Sequence, residues 1–135
     1  MVWEAYTSAE HVENWWGLEG TTTTVEELDL RVGGGWRYVH HSEGQDVPFK
    51  GTYLEVDPPR RLVRTEIYDV PPFNENEDQA AVETVTFEPV EGGTRVVSRS
   101  TFPSEEALRG ALETGMTQGA IESYDRLDRL IASLA

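Results

Sequence analysis

The run from Pro103 to Ala135 constrains this chain most, because no other stretch is both long enough and periodic enough to form a spanning helix. Ser104 is a natural N-cap, Glu105 and Glu106 place acids in the first turn, and Pro103 blocks extension backwards. Met116, Ala120, Tyr124, Leu127, Ile131 and Leu134 recur at spacings of three and four, with Leu112, Ser123 and Leu130 beside them. Glu122, Asp125, Arg126, Asp128 and Arg129 fall on the other side. One face is therefore made to be buried. Gly110, Gly115 and Gly119 interrupt the pattern, each at a cost of about 1 kcal/mol relative to Ala. They predict a kink, or a backbone that must leave room for a neighbour.

Ahead of this helix the periodicity is short. Val2, Trp3 and Tyr6 have helical spacing, and a second short helix is expected from Thr7, with Thr7 and Glu10 at capping-box spacing and Gly17 ending it. From Thr21 the period changes to two, and turn residues punctuate it. Strands are expected at Val25 to Val32, Gly35 to His41, Phe49 to Val56, Arg61 to Tyr68, Ala81 to Glu88 and Thr94 to Phe102. Their joints are Gly33-Gly34, Ser42 to Asp46, Asp57-Pro58-Pro59, Val70 to Gln79 and Glu91-Gly92-Gly93. Connections this direct make an antiparallel meander. The more apolar sheet face needs a cover, and only the C-terminal helix is long enough to supply it. The expected architecture is a single α+β domain over residues 1–135, of the helix-grip kind: a curved antiparallel sheet of six strands around a long helix, with two short N-terminal helices.

Composition narrows the partners. Acidic residues outnumber basic ones 25 to 11, for a formal charge of -14, and Lys50 is the only lysine. Polyphosphate binding needs clustered cations, so nucleic acid and anionic lipid surfaces are disfavoured. No apolar run approaches the roughly 20 residues of a membrane span, no signal peptide opens the chain, and a cytoplasmic location is expected. With no cysteine there is no disulfide, thiolate metal site or cysteine nucleophile.

Several segments together resemble the SRPBCC superfamily, and within it the branch similar to activators of the heat-shock protein 90 ATPase. They are Val2-Trp3-Glu4-Ala5-Tyr6-Thr7, Trp15-Trp16-Gly17, Gly33-Gly34-Gly35-Trp36-Arg37, Gly51 to Pro58, and Thr114-Gly115-Met116 through Ser123-Tyr124-Asp125-Arg126-Leu127. The resemblance implies a hydrophobic cavity between the long helix and the concave sheet face, where many relatives hold lipids, polyketides or other apolar molecules. Such relatives begin with a β-strand that pairs beside the final strand, and here Met1 directly precedes Val2. Without that strand the edge of Thr94 to Phe102 would be bare, and a homodimer through this edge is the expectation.

No catalytic signature stands out, and neither a cofactor nor a metal is expected. His40 and His41 are adjacent, so on a strand they point to opposite faces and cannot share a metal. Trp36, Tyr38 and His40 share one strand face, and Tyr53, Glu66, Tyr68 and Phe87 are cross-strand candidates for the same wall. Met116, Ala120 and Tyr124 would face them from the helix, with Trp15 and Trp16 near the mouth. These twelve residues either line an open ligand pocket or pack as a core. Glu66 sits mid-strand, where an inward carboxylate must be paired or protonated; outward, it would pair with an arginine on the convex surface. Three functions follow: binding a small hydrophobic or amphipathic molecule without chemistry, a cyclase- or dehydratase-like enzyme using Glu66, His40 and tyrosines, or a chaperone-interacting protein acting through its surface.

Overall fold

The computed structural model describes residues 2–71, 73–75, 80–113 and 116–134. Its elements run α1 (Val2–Thr7), α2 (Ala9–Trp15), β1 (Thr22–Leu28), β2 (Gly35–Ser42), β3 (Gln45–Asp57), β4 (Arg61–Tyr68), β5 (Ala81–Val90), β6 (Gly93–Thr101), α3 (Glu105–Glu113) and α4 (Met116–Leu134). The strands form one antiparallel sheet in sequence order, β1 to β6, so β1 and β6 are its edges. The expected α+β helix-grip architecture is therefore the one observed.

Local chemistry moved several expected boundaries. Glu43 and Gly44 both take positive φ, which closes a two-residue turn, so Ser42 pairs directly with Gln45 and β3 starts four residues before Phe49. β1 starts at Thr22, since the β-branched threonines extend it backwards, and it ends at Leu28 because Asp29 to Gly34 turn back on themselves. There Gly34 N–H donates to the Arg31 carbonyl, and a Cβ on Gly34 would fall 2.0 Å from the Asp29 carbonyl oxygen. The expected Thr7 capping box does not form. The Thr7 hydroxyl donates back to the Trp3 carbonyl at 2.8 Å, and Ser8 takes the N-cap of α2. At the start of α3, by contrast, Ser104 Oγ does accept from Ala107 N–H at 3.1 Å.

The C-terminal stretch is described as two helices, with Thr114 and Gly115 between them outside the described residues. Only the latter half of the expected apolar face is covered. Leu127 is buried, and Tyr124, Leu130 and Ile131 pack against the core, whereas Met116, Ala120 and all but two residues of α3 are exposed. The reason is how α4 docks. Ser123 Oγ donates to the Gly17 carbonyl at 3.0 Å and accepts from Gly17 N–H at 2.9 Å, Arg126 donates to the carbonyls of Leu18 and Asn14, Glu122 accepts from Glu19 N–H, and Arg129 pairs with Glu19. Gly119 faces Leu18, but a Cβ there would stand 3.7 Å from Leu18 Cδ2, an ordinary contact, so the expected close approach of a neighbour is not what this glycine serves. Three residues assigned from sequence to the solvent side, Glu122, Arg126 and Arg129, thus join Ser123 in clamping the helix to the end of α2 and the α2–β1 loop. The core runs across the concave face from β2 to β5: Ala5, Tyr6, Val12, Trp15, Trp36, Tyr38, Tyr53, Leu62, Val85, Phe87 and Leu127. β6, at the opposite edge, is exposed at every position except Val96.

Candidate functional site

Strand alternation decides which residues face the helix. On β4, Leu62 belongs to the core, so Arg64, Glu66 and Tyr68 share its concave face, while Thr65 and Ile67 open onto the convex one. The convex surface carries a depression of about 340 Å³ bounded by Lys50, Gly51, Thr52, Leu54, Thr65, Ile67 and Ala80. Glu66 therefore points inward, toward the helix side.

The expected residues fall into two groups. Trp15, Trp36, Tyr38, Tyr53, Phe87 and His40 are buried and packed. The Trp36 ring lies 4.7 Å from that of Tyr38, its indole N–H donates to the Thr65 carbonyl at 2.9 Å, and Gly51 provides the space it crosses, since a Cβ there would sit 2.5 Å from Trp36 Nε1. Trp16 is half-buried and connects Tyr38, His40 and Phe49 by edge-on ring contacts; Phe49 in turn meets Tyr68, which is partly exposed. Tyr124 is half-buried, stacked on Trp15, and its hydroxyl receives that of Tyr6 at 3.2 Å. Met116 and Ala120 stand exposed, away from this packing. His40 meets Thr23 and Trp16, and burial pushes its pKa down, helped by the charge of Arg126. The charged neighbours of Glu66 are Glu83 and Arg64, so His40 and Glu66 do not form a pair. Among the described residues no group of three or more His, Asp or Glu side chains converges as a metal cage would.

Sequence reading missed the residue at the centre. Arg64 is buried on the concave face, its guanidinium 3.9 Å from the centre of the Trp36 ring. Its Nε donates to Glu83 Oε1 at 3.1 Å and its Nη1 to the Tyr38 hydroxyl at 3.2 Å. The Ser98 hydroxyl donates to the other Glu83 oxygen at 3.3 Å. Register explains the pairing: Arg64 lies opposite Tyr53 on one side and Glu83 on the other, and Glu83 lies opposite Ser100. Glu66, two residues along, is half-buried and makes no hydrogen bond or ion pair within the described residues. Burial pushes its pKa up to about 7, with the charge of Glu83 adding to the rise and Arg64 opposing it. The Tyr53 hydroxyl is fully enclosed beside Tyr38 and Arg64 and has no well-formed hydrogen bond. The alternation of Leu62, Arg64 and Glu66 was the available signal, but the side of the sheet it marks needed the register.

A cleft of about 220 Å³ separates α4 from β6, lined by Thr94, Val96, Tyr124, Leu127 and Asp128. Thr94 and Val96 share the concave side of β6 with Ser98 and Ser100, because they pair with Pro89, Phe87, Val85 and Glu83 in turn. The cleft therefore lies on the same sheet face as Ser98, Glu83, Arg64 and Glu66, none of which lines it.

A family model for activator of Hsp90 ATPase homolog 1-like proteins (AHSA1) matches residues 1–132. The chain belongs to this family. Among solved structures it is similar to protein Ms6760 of Mycobacterium smegmatis, at 27% identity and TM-score 0.87 over 99% of this chain and 83% of that one. A protein of Arthrobacter aurescens is 25% identical with TM-score 0.88, over 98% of this chain and 78% of that one. An AHSA1 protein of Silicibacter pomeroyi, at 21% identity and TM-score 0.76 over 99% and 90% of the two chains, shares the fold. No curated protein matches. AHSA1 membership brings a fold of the ligand-binding type, and no helix among the described residues is long and apolar enough to cross a membrane.

Proposed function

We propose that this AHSA1-family domain binds a small amphipathic molecule in the groove between α4 and β6, apolar body toward Val96, Tyr124 and Leu127, polar head toward Ser98, Glu83 and Glu66. The observation that carries the reading is the open cleft between α4 and β6, on the concave face that also carries Glu66, Glu83 and Ser98. A cluster kept only for packing would be closed and fully paired, since unpaired buried polar groups are costly. Of the residues expected from sequence, Tyr124 and Glu66 belong to this site directly. Tyr38 and Tyr53 support Arg64, and the remaining aromatic residues hold the wall behind it.

Native mass spectrometry of freshly purified protein, without delipidation, tests the reading. A bound species of a few hundred daltons, retained at low collision energy, is expected. Bare chain alone, both as purified and after incubation with octanol, would sink it. A second reading, acid–base catalysis on the bound molecule, draws support from one feature: Glu66 exchanges its proton near neutral pH. Chemical turnover of a captured ligand, abolished by Glu66→Gln, would favour that reading over simple carriage. Pairing of two chains along the open edge of β6 remains the expected route to a homodimer, and a monomer in sedimentation at high concentration would count against it.

A further inference from the structure

We propose that Thr24, His41 and Asp46 form a nucleophilic site on the convex face of the sheet, in which the Thr24 hydroxyl takes an acyl group from uncharged activated esters. Strand alternation places them together. Thr23 and His40 turn inward to Trp16, so Thr24 and His41 point outward, and Asp46 lies directly opposite His41 on β3. His41 Nδ1 is 2.7 Å from Asp46 Oδ1, and its Nε2 is 2.8 Å from Thr24 Oγ1. Chemistry fixes the direction of both bonds. A carboxylate only accepts, so Nδ1 carries the ring proton, and the bare Nε2 of the neutral ring then accepts from the Thr24 hydroxyl. A cross-strand pair would need only Asp46 and His41. Thr24, on a third strand and diagonal to His41, supplies a hydroxyl at the one ring atom able to take its proton.

The site is open to reagents: Thr24 is exposed, and the His41 side chain keeps 35% of its surface in solvent. In the proposed step Thr24 Oγ1 attacks the acyl carbon while His41 Nε2 takes its proton. The bond from that carbon to the leaving group then breaks, the leaving group departs with the electron pair, and the proton follows it from Nε2 or passes to water. Thr24 is left as an ester and His41 neutral, with no change of oxidation state. His41 is the catalytic base, and Asp46 is the positioning residue that keeps Nε2 bare. Two observations set the ester class. Val25 N–H, the amide following the nucleophile, is held by Glu13 Oε2 at 2.8 Å and is not free to stabilise an oxyanion, so the donor must carry a good leaving group, as aryl esters and thioesters do. The formal charge of -14 repels anionic donors such as acyl phosphates. Without that oxyanion donor deacylation is also slow, so the acyl group stays on Thr24, which makes this a self-modifying site and not a fast hydrolase.

Reaction with p-nitrophenyl acetate tests this, with p-nitrophenolate release followed by absorbance and the acetyl group located by fragmentation mass spectrometry of a proteolytic digest. Acetylation of Thr24 is expected to run about 100-fold or more faster than that of Thr101, the low end of what a positioned base contributes. Thr101 is an exposed threonine on β6 with no histidine on its own or the neighbouring strand. His41→Gln should lower the Thr24 rate by a similar factor, and Thr24→Val should abolish the stable adduct. Asp46→Asn, whose amide would turn the ring to the other tautomer, should lower the rate about 10-fold or more, and Asp46→Glu should recover it. A pair kept only for structure would move the melting temperature and leave the Thr24 rate untouched. Acetylation of Thr24 no faster than of Thr101, or a Thr24 rate that His41→Gln leaves unchanged, overturns the site. The first comparison is made within one wild-type chain, so no folding defect can imitate it. An Asp46→Asn rate equal to the wild type overturns the role given to Asp46.

Discussion

Glu66→Gln offers the sharpest test of the buried cluster, because the substitution keeps shape and removes a charge. Burial and Glu83 raise the Glu66 pKa from an ordinary 4.5 to about 7 in the folded chain. In the unfolded chain the same group ionises at the ordinary value, so between the two values the folded state holds more protons than the unfolded one. Stability therefore falls as pH rises through this window, and the loss is complete above it. A displacement of that size corresponds to about 3 kcal/mol between the two protonation states. Gln carries no such penalty. The variant should thus match the wild type near about pH 4.5 and exceed it by up to about 3 kcal/mol near about pH 8, or roughly 10 °C in Tm for a chain of this length. Urea titrations at a series of pH values, with the m-value checked for constancy, give the difference directly. A difference that is flat with pH, or one that shrinks as pH rises, would refute an inward, desolvated Glu66.

Further substitutions probe its neighbours. Arg64→Met should cost about 3–5 kcal/mol by stranding Glu83 in the interior, and adding Glu83→Gln should recover most of the loss, as measured by chemical denaturation of the single and double variants. Gly51→Ala would place its Cβ 1.8 Å from the Thr65 carbonyl oxygen, so a loss of about 2–3 kcal/mol is expected, together with a change in the near-UV circular dichroism of Trp36. Gly17→Ala combines a φ of +113° with a Cβ 2.4 Å from the His40 ring, and should loosen the clamp to Ser123 on α4; faster amide exchange in α4 would report it.

The architecture was legible because hydrophobic period and turn residues act locally. The change from period two to helical spacing marked six strands and the C-terminal helices, and Ser104 announced the start of α3. The capping of α2 was misplaced because Thr7 and Ser8 are chemically equivalent candidates, and the choice went to the pair that let Thr7 bond the preceding turn. The inner face of α4 was only half legible. Glu122 and Arg126 look solvent-facing by composition, yet with Ser123 at the edge of the apolar face their partners are backbone groups of Gly17, Leu18 and Glu19, more than a hundred positions away. No periodicity encodes such contacts. The aromatic wall was found by its alternation on β2, but the site's centre was missed because a buried arginine is uncommon, and Arg64 is tolerated only through Glu83, Tyr38 and Trp36 on three other strand positions.

How α4 is held explains where the groove lies. Its clamps through Glu122, Ser123, Arg126 and Arg129 reach the end of α2 and the α2–β1 loop, at the β1 side of the sheet, and a cleft is left between the helix and β6. Had the helix been fixed by apolar contacts alone, it would have slid to cover Val96 and close the cleft, since burial is non-directional and rewards the largest covered area. Directional hydrogen bonds to a loop backbone prevent that. Glu66, half-buried on the same concave face two strands away, lowers the stability of the folded chain at neutral pH, because burial and Glu83 raise its pKa. Gln at that position would remove this penalty while keeping the side chain's shape, which is why the pH dependence of Glu66→Gln isolates it.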